Sequence, residues 1–225
     1  MRMYYPYVNA YRQNTPNDHN GSNQVMTVLG NGSVSVQPDV ANVELGVITE
    51  NVSLLEAQQA NATTMNQVIE ALLRFGVPRE NIQTTSYTVN PRYDFVDGEQ
   101  IFKGYQVSNM ITVEITAIDQ IGSILDAAVE SGANQVNSIQ FTVQNSDTYE
   151  QQALQEALAN AYDKANAIAT SMQVNLNPIP FRIEERTDTM PIPFSKLALS
   201  AEAGATPIEP GQIVIRATLE VKFRY

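Results

Sequence analysis

The chain has 225 residues, 43% of them hydrophobic and only 16% charged, with a formal charge of −11 and a pI near 4.5. That length buries a sizeable core in one large domain or two small ones. The absence of cysteine excludes disulfides, thiolate nucleophiles and Cys-based metal sites.

Charge placement sharpens the exclusion. No Lys or Arg occurs from Gln13 to Leu73 or from Gly104 to Asp163, and the second stretch carries Glu114, Asp119, Asp126, Glu130, Asp147, Glu150, Glu156 and Asp163. Nucleic-acid binding needs clustered cations to displace counterions, so no nucleic-acid partner is expected. The low charge density leaves a surface that repels its own copies weakly, which favours self-association.

Residues 1–23 form a separate zone, a Tyr/Asn-rich tail that holds four of the ten tyrosines and the single histidine, His19. Its start, Met1-Arg-Met-Tyr-Tyr-Pro-Tyr7, has no apolar run of signal-peptide length. No stretch of the chain approaches the ~18 apolar residues of a membrane span. The expected location is therefore cytoplasmic, or a cell- or spore-surface assembly. Tyrosine combines a large apolar area with a polar tip, so Tyr4, Tyr5, Tyr7 and Tyr11 are candidate contacts between copies.

Val25–Val36 reads as a strand, with Gly30 and Gly32 as bulge or twist points. Gln37-Pro-Asp39 is a turn, and Val40–Thr49 is a second strand with Val43, Leu45 and Val47 on one face. Ser53 and Glu56 have capping-box spacing. The helix that follows carries a stripe of Leu55, Ala62, Met65, Ile69 and Leu72 and ends at Gly76. Ile82–Val96 and Ile101–Ala117 flank Asp97-Gly98, a hairpin signal, with Tyr105, Val107, Ile111, Val113 and Ile115 on one face of the return strand.

Asp119 is placed as the cap of a short helix that stops at Gly132, and Val136–Val143 is a further strand. Asp147 and Glu150 open a long helix with a stripe of Leu154, Ala157, Leu158, Ala161, Ala165, Ile168 and Met172. Its many alanines permit close packing. Leu176–Glu184, with Pro178 and Pro180, reads as an edge strand. Thr187–Pro210 is a long loop. Ile213, Ile215, Ala217, Leu219, Val221 and Phe223 alternate with polar residues in a half-buried final strand.

These elements predict an α+β fold: a layered α/β sandwich of order ββα-ββαβ-αββ, with two long amphipathic helices on antiparallel-rich sheets. Residues 24–225 form the folded part. It divides into a discontinuous outer subdomain, 24–80 plus 145–225, and an inserted one, 81–144; the alternative is one continuous sheet.

Several strings in this order resemble one family: Gly30-Asn-Gly-Ser-Val-Ser-Val-Gln-Pro-Asp-Val-Ala41, Ala71-Leu-Leu-Arg-Phe-Gly-Val-Pro-Arg-Glu-Asn-Ile-Gln-Thr84, Pro91-Arg-Tyr93, Gly104-Tyr-Gln-Val-Ser-Asn109, Gly132-Ala-Asn134, Lys164-Ala165 and Pro210-Gly211. Together they are similar to the SIMPL-domain family, a domain of unknown function. Its members include a periplasmic immunogenic protein and a proposed oxidative-stress defence protein. The resemblance implies an α/β fold over about 24–225, often a periplasmic location, and a ring-like homo-oligomer in at least one bacterial member. It supplies no catalytic residue.

The chemistry of the residues agrees. A Ser-His-Asp triad would have to use His19 in the tail. Gly30-Asn-Gly32 lacks the third glycine of a dinucleotide fingerprint and lies inside a strand. Acids cluster at helix starts, where they complement the helix dipole. Arg92, Tyr93 and Tyr105, with Lys164 as counter-charge, are the residues to test for a pocket. The expectation is a non-enzymatic scaffold that assembles with itself into a ring or filament, without cofactor or metal. The second reading is a stress-response protein holding a small ligand or partner chain in a cleft by the long loop.

Overall fold

A computed structural model describes residues 24–186, 192–194 and 206–225. The elements are β1 (Val25–Val36), β2 (Val40–Asn51), α1 (Leu54–Arg74), β3 (Ile82–Val96), β4 (Glu99–Ile115), α2 (Ile121–Glu130), β5 (Gln135–Thr142), α3 (Ser146–Met172), β6 (Arg182–Arg186), β7 (Ile192–Phe194) and β8 (Gln212–Arg224). The α+β class is as expected, with β7 as one strand more than the predicted order.

Two antiparallel sheets result. In the first, β8 lies between β1 and β6 and also pairs with β7; the order of the second is β3-β4-β2-β5. Sheet membership places β2 and α1 with the elements of 81–144, while β1 joins those of 145–225. Each sheet has its own core. Val43, Leu45, Val47, Ile111 and Val113 of the second pack against Met65, Val68 and Leu72 of α1 and Ile121 and Ile124 of α2. The inward residues of β8 pack against α3 in the first. Phe141 touches both cores.

The strictly alternating β8 is central, so 213–224 is not a free edge. Pro178 and Pro180 precede β6 instead of lying within it.

Both long helices correct their predicted phase. Leu55 and Ala62 of α1 are exposed, and the buried stripe is Ala57, Asn61, Met65, Val68, Ala71 and Leu72. A polar residue sits at its centre: the Asn61 amide donates to the carbonyls of Val47 (2.9 Å) and Val107 (3.2 Å). On α3 the buried stripe is Ala153, Ala157, Ala161, Ala165 and Ala169, whereas Leu158 (37% exposed), Ile168 (42%) and Met172 (49%) flank it. The expected burial of Leu158 and Ile168 is therefore wrong.

The reason lies in β1. A Cβ on Gly30 would stand 2.0 Å from the Ala157 carbonyl oxygen, and one on Gly32 would stand 1.9 Å from that of Ala153. The helix backbone rests on the strand, so only methyl side chains fit between them. Gly30 and Gly32 are thus contact points and not bulges, because β1 pairs with β8 without a register shift.

Capping also differs in detail. Ser53 precedes α1 without a side-chain cap bond, and its N–H donates instead to Asn51 Oδ1. Asp119 sits in a 3₁₀ turn with Gln120 next to α2, and Asn145 precedes α3.

Candidate functional site

β2 ends at Asn51, opposite Tyr105 of β4, while β3 and β4 continue to a two-residue turn at Asp97-Gly98. Both turn residues have positive φ (53° and 85°), the geometry of a type I′ hairpin. Arg92–Val96 and 99–104 therefore run on past β2 as a two-stranded arm. An isolated ribbon of this kind is marginally stable in water.

The arm is strongly apolar and open. Tyr93 (45% exposed), Phe95 (75%), Val96, Ile101 and Phe102 all reach solvent. On one face Tyr93 meets Phe102 edge-on at 5.6 Å, and Phe102 meets Tyr105 at 5.3 Å. Such pairs contribute about 0.5–1.5 kcal/mol each beyond burial, which helps hold the ribbon together without covering its outer surface.

Its base is locked. Arg92 is ion-paired with Glu50, and Gln106 Nε2 donates to Glu50 Oε1 at 2.8 Å. These bonds, Gln106 first and then Arg92, hold the Glu50 carboxyl below its usual range. Gly104 has φ +134°, and a Cβ there would lie 2.5 Å from the Asn51 carbonyl oxygen. Only glycine allows the end of β2 to pass so close to β4.

Arg92, Tyr93 and Tyr105 thus come together at the base of the arm. Lys164 does not join them; it lies on α3, and its Nζ donates to the Leu29 carbonyl at 2.7 Å. Beside it Asn160 Oδ1 accepts from Asn31 N–H and Glu156 Oε2 from Ser33 N–H, both at 3.1 Å. Three residues one helical turn apart seal the outer edge of β1. The 15-residue edge strand β3 has no such seal among the described residues. Tyr4, Tyr5, Tyr7, Tyr11 and His19 lie outside the described residues.

Sequence reasoning missed the arm's Phe95, Val96, Ile101 and Phe102. The signal was there: apolar residues of both parities flank the Asp-Gly turn, so neither face of the ribbon is polar. It also missed Glu156 and Asn160. A half-open cavity of about 140 Å³ lies elsewhere, lined by Phe141, Val143, Leu154, Ile213, Ile215 and Ala217, with Glu150, Glu185 and Arg216 at its margins. Among the described residues no group of three or more His, Asp or Glu is placed to hold a metal ion, and no helix is long and apolar enough to cross a membrane.

Residues 26–223 match the family model SIMPL, described as a protein of unknown function (DUF541). The 26 kDa periplasmic immunogenic protein of Brucella melitensis is 28% identical over 208 residues, 88% of this chain and 83% of that protein; its counterpart in Brucella abortus matches equally. The uncharacterized protein YggE of Escherichia coli K12 is 25% identical over 191 residues, 85% of this chain and 76% of its own.

Proposed function

The chain belongs to the SIMPL family, and from that premise we propose that it is a non-enzymatic, self-assembling scaffold of the cell envelope or surface. The observation that carries this reading is the arm. It exposes five large apolar side chains beside an unsealed edge strand, a surface that association with another chain would cover. The periplasmic description of the Brucella relatives supports an envelope setting, and the tail tyrosines Tyr4, Tyr5, Tyr7 and Tyr11 are proposed as further contacts between copies. The basic-poor stretches support the absence of a nucleic-acid partner.

The test is light scattering coupled to size exclusion at micromolar concentration. The wild type should exceed the monomer mass of 24.8 kDa, and Phe95→Ser with Val96→Ser, both outside the ring pairs, should lower the assembly state while leaving circular dichroism unchanged. A strictly monomeric wild type overturns the reading.

The ligand-binding alternative is favoured by the cavity beside β8. At about 140 Å³ it is smaller than the ~300–1,000 Å³ of common ligand pockets. It suits a ligand of few atoms, and a melting shift with small apolar compounds would support this second reading.

A further inference from the structure

The two sheets present open faces of opposite charge. On the first, the outward residues of β8 and β6 include Arg216, Lys222, Arg224, Arg182 and Arg186, five of the ten Lys and Arg residues described. This concentration is notable in a chain of net charge −11. Among the described residues two carboxylates share the face. Glu220 is engaged by both Arg186 and Lys222, and Glu184 by Arg182. Glu220 is also recessed, with its side chain 14% exposed, whereas those of Arg182 and Arg186 are 60% and 54% exposed. Among the described residues the face therefore carries five cations and two carboxylates. Val25 (38% exposed) and Leu29 (51%) on β1 lie among them.

The second sheet is the reverse. α1 and α2 cover its odd-numbered β2 and β4 residues, so the outward set on these strands is Asn42, Glu44, Gly46, Ile48, Glu50 with Gln106, Ser108, Met110, Thr112 and Glu114. Its three carboxylates meet one cation, Arg92, which pairs with Glu50. Glu44 and Glu114 are diagonal neighbours across β2 and β4, since Asn42 opposes Glu114 and Glu44 opposes Thr112. Neither has an ion-pair partner among the described residues. At this diagonal spacing long side chains are within reach of one another, so one incoming cation can meet both carboxylates.

We propose that the basic face of the first sheet docks on the acidic face of the second sheet of another copy. The inference rests on the self-assembly reading and specifies its interface. Because the two patches differ, the contact is heterologous. It repeats head to tail and produces a ring if the rotation closes, or a filament if it does not. Complementary potentials of this kind set register and speed encounter, and they explain why an acidic chain would keep half of its described cations on one face.

The test is charge reversal read by light scattering. Arg216→Glu and Glu44→Lys are both on open sheet faces and should leave the thermal melt nearly unchanged. Each alone should weaken association at least about tenfold. Mixing the two, or combining them in one chain, should restore it, because a basic face again meets an acidic one. Wild-type assembly should also weaken in about 0.5 M salt. If the wild type assembles and both variants assemble equally well, the faces are not the interface, although self-assembly stands. If reversal weakens assembly but neither mixing nor combination rescues it, the two faces do not meet each other. If the wild type is monomeric, or binds an anionic polymer such as heparin through Arg216 instead of a second copy, the proposal fails together with, in the monomeric case, the reading beneath it.

Discussion

α1 and α3 lie on their sheets in different ways. α1 packs through Met65, Val68 and Leu72 against Val43, Leu45, Val47 and Ile111, each such side chain stabilising by about 1.5–3 kcal/mol when fully buried. α3 packs through five alanines on a strand that has glycine where the helix crosses. A methyl contributes much less than a leucine. The closer approach instead brings Glu156, Asn160 and Lys164 within bonding reach of the β1 backbone. One layer is held by bulk, and the other exchanges bulk for a sealed edge. The contrast extends to assembly, because the bulky layer is the one whose edge strand and arm stay open.

The contrast is most directly broken at Gly30. Gly30→Ala places a methyl 2.0 Å from the Ala157 carbonyl oxygen, where neither backbone gives way cheaply. Overpacking commonly costs about 1–3 kcal/mol, and a clash with backbone should reach at least the top of that range. Chemical denaturation should show it; a midpoint within error of the wild type would mean that α3 does not rest on β1. Leu72→Ala, in the bulky layer, should cost about 2–5 kcal/mol. A loss under 1 kcal/mol, about the value for a surface site, would contradict the 1% exposure of Leu72.

This same contrast decides what the sequence reveals. The strands, the Asp97-Gly98 hairpin and the glycine ends of α1 and α2 are local, so periodicity and turn chemistry locate them. The phase of α3 is not local. Reading a helix by the size of its side chains selects Leu158 and Ile168, but the strand opposite admits only methyls, and that strand is more than a hundred residues away in sequence. Asn61 misleads in the same way, since its buried amide is matched by carbonyls of β2 and β4 that helical spacing does not reveal. Of the candidate site, Arg92, Tyr93 and Tyr105 were legible through the family strings. The arm around them was not, because it depends on where β2 stops.

A smaller effect sharpens the comparison. Leu158→Ala should cost about 1 kcal/mol or less, since the side chain is 37% exposed and surface changes rarely exceed that. A loss of several kcal/mol at Leu158 would restore the leucine stripe and remove the alanine one. Asn134→Ala should cost more, about 1–2 kcal/mol. Asn134 Oδ1 accepts from Ile48 N–H at 2.8 Å and its Nδ2 donates to the Ile48 carbonyl at 2.7 Å, which extends the β2 edge beyond β5.

The smallest expected effect concerns the tie between the two layers. Thr206, four residues before the turn into β8, donates its hydroxyl and its N–H to the carboxylate of Asp126 on α2, and Ile208 packs on the core of the second sheet. The hydroxyl bond first, then the N–H bond, hold the Asp126 carboxyl below its ordinary value of 3.8, and desolvation opposes them. A carboxyl whose folded value is depressed contributes stability that is fully present above the unfolded value. That contribution is lost as pH falls from about 4 through the lowered folded value. Glu50 and Glu220 shift in the same direction, with Gln106 and Arg186 as their leading causes. Salt distinguishes the three. Arg92 and Arg186 are charged partners whose attraction is screened, whereas Thr206 is neutral, so its bond should persist in about 0.5 M salt. The stability difference between wild type and Asp126→Asn should therefore be constant above about pH 5, close as pH falls below about 4, and change little with salt. A difference that is flat across this range would show that the ionised carboxylate is not what Thr206 binds.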